Sequence, residues 1–140
     1  MNILILGGTS EASELVGLLS ARPDITATLS LAGRTKNPVL PQIIAPTLTL
    51  PQSERELFPH RIGGFGGILG LTSYIKEQKI TAIVCATHPF ARKMPFNAME
   101  AAKIANIPII YLLRPQWQPQ TGDNWLEVDD HAYAINHLSL

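Results

Sequence analysis

The chain has 140 residues, of which 46% are hydrophobic and 16% are charged, and its 11 basic and 11 acidic residues give no net charge. A chain of this length buries about two-thirds of its unfolded surface, so we expect one compact domain. Its apolar stretches are shorter than the roughly 18 residues that a membrane helix needs, and its neutrality gives no general attraction to nucleic acid or anionic lipid. A single cysteine excludes an internal disulfide and agrees with a reducing, cytoplasmic location.

The first apolar segment covers residues 2–6 and ends at two glycines. Neither a basic leader nor an apolar segment of secretory length is present, so we predict a strand here and not a signal peptide. Apolar residues then recur at spacings of three and four over residues 11–19, which predicts a helix. Residues 26–31 are rich in β-branched and apolar side chains and are predicted to form the second strand.

The middle of the chain, residues 36–62, contains five prolines and cannot be one regular element. We predict a third strand near residues 58–62, and a short pairing at residues 47–50 is an alternative. Helical spacing follows over residues 69–78 and 94–105. Nearly continuous apolar runs at residues 81–86 and 107–113 indicate strands that are buried on both faces.

This alternation of strands and helices predicts a Rossmann-like α/β fold with a doubly wound parallel sheet. Right-handed crossovers favour five strands in the order 3-2-1-4-5, forming a single lobe over residues 1–140. After the fifth strand, residues 114–124 form a connector. Residues 125–128 are a candidate extra strand, and Asp129 or Asp130 would cap a final helix that ends near Leu138.

The strongest local signal is the turn after the first strand, Gly7-Gly8-Thr9-Ser10. Two glycines let the backbone approach a pyrophosphate, whose charge the N-terminus of the next helix favours. The complete G-x-G-x-x-G spacing is absent, so an ordinary strand-to-helix turn with a hydroxyl cap is the alternative. We predict that phosphate binds at this turn.

Cations follow the second strand at Arg34 and Lys36, where folds that select NAD place an acidic residue. A basic side chain at this point accommodates the 2′-phosphate of NADP, which predicts NADPH as the cofactor, with NADH as the alternative. Solvated charges in a loop are the other interpretation. The glycine-rich residues 63–67 precede a helix, and they are either a second loop of close ligand approach or a flexible turn.

The fourth strand leads into Thr87, His88, Arg92 and Lys93. In the order 3-2-1-4-5 this segment lies beside the first glycine turn, at the topological switch point where open α/β sheets bind ligands. Cations at the start of a helix oppose its dipole, unless an anionic ligand is bound there. Two exposed cations without a ligand are the alternative. Arg114, after the fifth strand, would reach the same edge.

The remaining candidate side chains are predicted to have structural roles. Cys85 lies in an apolar strand and is predicted to be a core residue. His131 and His137 are six residues apart on the predicted final helix and do not share a face, so we predict no metal site. Trp117 and Trp125 flank the connector and are predicted to pack rather than bind.

Five segments, in this order along the chain, resemble the precorrin-6A reductase family: ILGGTSE, LAGRT, RIGGFGG, ATHPFA and RPQW, beginning at residues 5, 31, 61, 86 and 114. One such segment would be weak evidence, but five of them in the same order as in the family are specific evidence for the resemblance. The resemblance implies an oxidoreductase of cobalamin biosynthesis. It would transfer hydride from NADPH to precorrin-6A or to cobalt-precorrin-6A.

The resemblance also implies roles for individual residues. Those assigned to the cofactor are Gly7, Gly8, Thr9 and Ser10 at the pyrophosphate, Arg34 and Thr35 at the ribose phosphate, and Gly63, Gly64, Phe65, Gly66, Thr87 and His88 on the nicotinamide side. The substrate, with its many carboxylates, is assigned Arg92, Lys93 and Arg114. His88 is the nearest titratable candidate for a proton donor, and a structural hydrogen-bonding role is the alternative.

The resemblance further implies a second lobe that begins near residue 128, so residues 1–140 correspond to the cofactor-binding lobe. The expected partners are a tetrapyrrole substrate and either that second lobe or another copy of the chain. Two rival hypotheses stay open. One is a non-catalytic NAD(P)-binding or sensor module, and the other is an NAD(P)-dependent enzyme acting on a different substrate.

Overall fold

A computed structural model of the protein describes residues 1–33, 58–114 and 118–138. The elements of these ranges, in chain order, are β1 (Asn2–Leu6), α1 (Ser10–Ser20), β2 (Thr26–Leu31), β3 (His60–Ile62), α2 (Gly67–Glu77), β4 (Ala82–Cys85), α3 (Lys93–Ala105), β5 (Ile109–Tyr111) and α4 (His131–Leu138). The candidate pairing at residues 47–50 lies outside the described residues.

The five strands form one parallel sheet in the order β3-β2-β1-β4-β5, which confirms the predicted topology. The central strand is β1, whose last residue, Leu6, lies beside Ser30 of β2 and Cys85 of β4. The carboxyl ends of β1 and β4 therefore meet at one edge. Gly7 and Thr87, which follow these ends, lie at the same edge, as predicted.

The core has two layers because alternate side chains of β1 lie on opposite faces of the sheet. Leu4 and Leu6 pack with buried residues of α2 and α3. Ile3 and Ile5 pack on the other face with buried residues of α1. The centre of the sheet is thus covered on both sides, which explains why β1 and β4 are nearly continuous apolar runs. The run at residues 107–113 was also predicted to be buried on both faces, which is wrong, because β5 is an edge strand in which Ile110 is 61% exposed. Cys85 is 2% exposed in the first layer, and its predicted core position is confirmed.

The segment after β5 differs in part from the prediction. Residues 125–128 do not form a strand. Their apolar content suggested one, but Trp125 and Leu126 are 47% and 61% exposed, so the burial that stabilises a strand is not gained there. The final helix is confirmed as α4. Asp130 caps it, because its Oδ1 accepts a hydrogen bond of 2.8 Å from the backbone N–H of Tyr133.

None of the helices in the described ranges is long and apolar enough to cross a membrane. Within the same ranges, no group of three or more His, Cys, Asp or Glu side chains is arranged to hold a metal ion.

Candidate functional site

An open cleft of about 780 Å³ lies at the carboxyl edge of the sheet, where β1 and β4 end. The residues that line it are Gly8, Thr9, Ser10, Glu11, Thr87, His88, Pro89, Phe90, Leu112, Arg114 and Trp125. Small-molecule sites in proteins usually measure about 300–1,000 Å³. The cleft therefore has the size of a ligand site, and it occupies the predicted switch point.

The two glycines of the first turn have different structural roles. A Cβ on Gly7 would lie 2.6 Å from Cδ1 of Leu29, so this glycine lets the turn pack against β2. Its N–H also donates to the carbonyl of Ser30 at 2.9 Å. Gly8 has a φ of +138°, and a Cβ there would meet nothing within 4 Å. Gly8 therefore shapes the turn and leaves open space in the cleft.

Thr9 joins the two sides of the cleft. Its Oγ1 caps α1 by accepting from the N–H of Ala12 at 3.3 Å, and the same hydroxyl donates to the carbonyl of Ala86 at 3.0 Å. The hydroxyl cap that the sequence suggested is therefore present. A hydroxyl has only one proton to donate. In this arrangement the Thr9 proton is used by the chain itself.

Arg114 is anchored to the start of α1. Its Nε donates to Oε1 of Glu11 at 2.6 Å, and its Nη2 donates to Oγ of Ser10 at 2.6 Å. The hydrogen bond from Arg114, together with one from the backbone N–H of Glu11, lowers the pKa of Glu11 from 4.5 to about 2. The hydrogen bond to Glu11 in turn raises the pKa of Arg114. Both groups are charged at neutral pH, so the cation at this rim is paired with a carboxylate.

The loop after β4 forms the opposite wall. Nδ1 of His88 accepts from the N–H of Phe90 at 3.3 Å, and the two rings lie 5.3 Å apart. An accepting Nδ1 requires the neutral ring with its proton on Nε2. These contacts support the structural alternative for His88, while its role as a proton donor stays a prediction. Phe90 is 88% exposed and presents its ring to the cleft.

Arg61, which the sequence did not single out for a role, organises the glycine-rich loop after β3. Its Nη1 donates to Oγ of Ser30 at 2.9 Å and to the carbonyl of Gly63 at 2.8 Å. Its Nη2 donates to the carbonyl of Gly64 at 3.0 Å. The guanidinium also lies 3.8 Å from the ring centroid of Phe65, a cation–π contact. One side chain thus holds most of the loop.

This loop does not line the cleft. Its strand, β3, lies two positions from β1 and three from β4, and each position is about 4.8 Å wide. Residues Gly63, Gly64, Phe65 and Gly66 are therefore not brought together with Thr87 and His88, although the family resemblance implied that all six lie on one side of the cofactor.

The cations before α3 also lie outside the cleft lining. Arg92 is the N-cap residue of α3 and Lys93 is its first residue, and both side chains are exposed. Neither forms an ion pair with a carboxylate in the described part of the chain. Arg34 and Thr35 lie outside the described residues, as does Trp117.

Sequence reasoning missed several residues of the cleft. Glu11 and Phe90 belonged to recognised motifs and Leu112 to a predicted strand, but none of the three was given a role in the site. Trp125 was predicted to pack rather than bind, and in the structure it is half-exposed and lines the cleft. No local pattern in the sequence indicates that Trp125 lies near the residues that follow β1 and β4.

Comparison with known proteins gives consistent matches. The family model described as "Precorrin-6x reductase CbiJ/CobK" matches residues 2–140. Proteins named precorrin-6A reductase from Rhodococcus erythropolis and Sinorhizobium sp are each 42% identical over 136 residues, which is 97% of this chain but 49% and 46% of theirs. The solved structure of "CobK precorrin-6A reductase" has a TM-score of 0.75 and 37% identity, covering 97% of this chain and 48% of that chain. The chain thus spans about half the length of the relatives it matches.

Proposed function

Because the chain belongs to the precorrin-6x reductase CbiJ/CobK family, we propose that it is the dinucleotide-binding lobe of a reductase that acts on precorrin-6A. The observation that carries this proposal is the cleft between the β1–α1 turn and the loop after β4. It lies where dinucleotides bind in doubly wound folds. The names of the two relatives support the metal-free substrate over cobalt-precorrin-6A.

The cleft fits a nicotinamide dinucleotide in shape and chemistry. Open space at Gly8 admits a pyrophosphate close to the backbone, and the N-terminus of α1 faces it with a positive dipole. Phe90, Leu112 and Trp125 provide apolar walls suited to planar rings. A bound reduced nicotinamide would supply hydride to a double bond of the macrocycle. The chain itself would bind and orient the dinucleotide.

The choice of NADPH rests on Arg34. It follows Gly33 at the end of β2, and the neighbouring sequence offers no acidic residue to hold a ribose 2′-hydroxyl. The glycine-rich loop lies next to this strand end, since the N–H of Gly63 donates to the carbonyl of Leu31 at 2.9 Å. This position supports a glycine-rich loop that lies near the adenosine end of the cofactor and not beside the nicotinamide.

The substrate would approach from the side of α3. Arg92 and Lys93 are exposed there and directly follow the loop that forms one wall of the cleft. Exposed cations match the carboxylates of a precorrin. A macrocycle held over this wall would meet the nicotinamide end of a dinucleotide that lies across the switch point.

Calorimetric titration of the 140-residue chain with NADPH and with NADH tests the proposal. We expect tighter binding of NADPH, and Arg34→Ala should weaken it by about tenfold to a hundredfold, the value of one charge-assisted contact. The same substitution should leave NADH binding unchanged, because NADH lacks the 2′-phosphate. Equal affinity for the two cofactors would contradict the role of Arg34, and binding of neither would contradict the proposed function.

A further inference from the structure

We infer that Arg114 binds the pyrophosphate of the dinucleotide and that Glu11 is the residue that positions it for this contact. The inference rests on the proposed function and names a part of its site. It differs from the sequence-based prediction, which assigned Arg114 to the tetrapyrrole substrate and gave Glu11 no role.

The guanidinium of Arg114 has two edges that can each donate a pair of hydrogen bonds. The edge formed by Nε and Nη2 is occupied, because Nε donates to Glu11 and Nη2 donates to Ser10, each at 2.6 Å. No described residue accepts a hydrogen bond from Nη1. The edge formed by Nη1 and the second N–H of Nη2 is therefore available. It has the planar fork that pairs with two oxygens of a phosphate.

The position of this edge favours a pyrophosphate over a substrate carboxylate. Ser10 is the first residue of α1 and lies two residues after Gly8, so its hydrogen bond places the guanidinium at the turn where a dinucleotide phosphate would lie. Arg114 lines the cleft together with both residues and is half-exposed. The cations suited to the substrate, Arg92 and Lys93, lie at the start of a different helix.

Glu11 fits the role of a positioning residue. Its two oxygens accept from Arg114 and from Ser10, at 2.6 and 3.3 Å, so the carboxylate fixes both partners at once. An arginine held in place in advance loses less side-chain freedom when a ligand binds. The contrary reading is that the Glu11 carboxylate competes with a phosphate for Arg114. The geometry disfavours it, because Glu11 uses the Nε side of the guanidinium and leaves the terminal edge open.

The test is calorimetry on the 140-residue chain with two probes, NADPH and ADP-ribose, which share a pyrophosphate, while ADP-ribose lacks both the nicotinamide and the 2′-phosphate. Arg114→Met should weaken both probes by a similar factor, about tenfold or more. Glu11→Gln should weaken both by about threefold, since it loosens Arg114 without removing it. If Glu11 acts only through Arg114, the double variant should bind no more weakly than Arg114→Met alone.

Matched controls are available in the same chain. Arg22→Met removes an arginine from the exposed Arg22–Asp24 ion pair, and Glu14→Gln removes a carboxylate from an exposed position of α1. Both should leave the two dissociation constants unchanged. Circular dichroism establishes that each variant folds. Should Arg114→Met fail to fold, Arg114→Lys replaces it, since it keeps the charge but loses the fork, and it should still weaken both probes.

The outcomes separate this inference from the proposed function. Absence of NADPH binding by the unmodified chain would overturn both. Normal binding by the Arg114 variants, or weakening for NADPH but not for ADP-ribose, would overturn only the pyrophosphate contact. Tighter binding by Glu11→Gln would show that Glu11 competes with the ligand, and a double variant weaker than Arg114→Met would show that Glu11 acts independently.

Discussion

Arg61 shows how one side chain can contact several parts of a glycine-rich loop at once. Its three hydrogen bonds reach Ser30, Gly63 and Gly64, and Ser30 is only 6% exposed. Arg61→Met keeps the length of the side chain but leaves the Ser30 hydroxyl and two carbonyls without this donor. We expect the free energy of unfolding to fall by about 2 to 3 kcal/mol, measured by urea denaturation.

The control for this prediction is Arg22→Met. Arg22 pairs with Asp24 at 2.8 Å, but the two side chains are 58% and 60% exposed. Such surface pairs contribute about 0 to 1 kcal/mol, so the control should change stability little. Equal losses for the two variants would mean that the contacts of Arg61 add nothing beyond those of a surface arginine.

Because of Glu11, part of the free energy of unfolding should depend on pH in the acidic range. Its pKa is lowered from 4.5 to about 2 in the folded chain, chiefly by the hydrogen bond from Arg114. A lowered pKa means that this contribution is fully present above pH 4.5 and is lost as the pH falls toward 2. Glu11→Gln should therefore flatten the curve of melting temperature against pH in this window.

Glu11→Gln should flatten this curve only in part, because Asp24 also adds acid-dependent stability over an overlapping pH range. The hydrogen bond from Arg22 lowers its pKa from 3.8 to about 2. Asp24→Asn should flatten the curve as well, and combining the two substitutions should flatten it further. A curve for Glu11→Gln with the unmodified slope below pH 4.5 would contradict the ion pair with Arg114.

At the scale of the elements, two helical glycines offer a matched comparison. A Cβ on Gly70 in α2 would overlap the carbonyl of Phe65, whereas a Cβ on Gly17 in α1 would meet nothing within 4 Å. Gly70→Ala should destabilise the fold by about 1 to 3 kcal/mol through this overlap. Gly17→Ala should stabilise it by about 0.5 to 1 kcal/mol, because alanine is the better helix former. Urea denaturation of the two variants measures the change in the free energy of unfolding. Changes of the same sign would contradict this prediction.

Most elements were predictable because each has a local signature. The helices follow from apolar spacing, and the strands from apolar runs that alternate with them. The runs at residues 81–86 and 107–113 overestimated strand length, because apolar residues continue beyond the paired residues, which end at Cys85 and Tyr111. The strand expected at residues 125–128 failed for a related reason, since apolar content there does not come with burial.

The sequence predicted those parts of the site that directly follow a strand, because the strand order determines which strand ends meet. The Gly7–Ser10 turn and the Thr87–His88 loop meet in the cleft because strand order alone brings them together. The pair of Glu11 and Arg114 joins residues 103 positions apart, and no spacing rule points to it. The family resemblance assigned the glycine-rich loop and His88 to one side of the cofactor, whereas β3 places this loop three strand positions from β4.

For the whole molecule, we expect this chain to bind the cofactor but to reduce precorrin-6A poorly. The cleft is open, and the chain spans about half the length of its relatives. A macrocycle over one open wall would lose the orientation and the exclusion of water that speed hydride transfer. NADPH oxidation with precorrin-6A, followed for this chain and for a version extended by the second half of a relative, measures the difference. Equal rates would show that this lobe alone suffices.

The place of β1 at the centre of the sheet also matters during synthesis. The strand comes first along the chain, yet its partner on one side, β4, pairs Ile3 with Ala82, so that edge stays unpaired for roughly 80 residues of translation. At about 5 to 20 residues per second this is a delay of about 4 to 16 seconds. During that time the nascent chain exposes a bare strand edge with Leu4 and Leu6 uncovered on one face. Only when β4 emerges does the second edge of β1 find its partner.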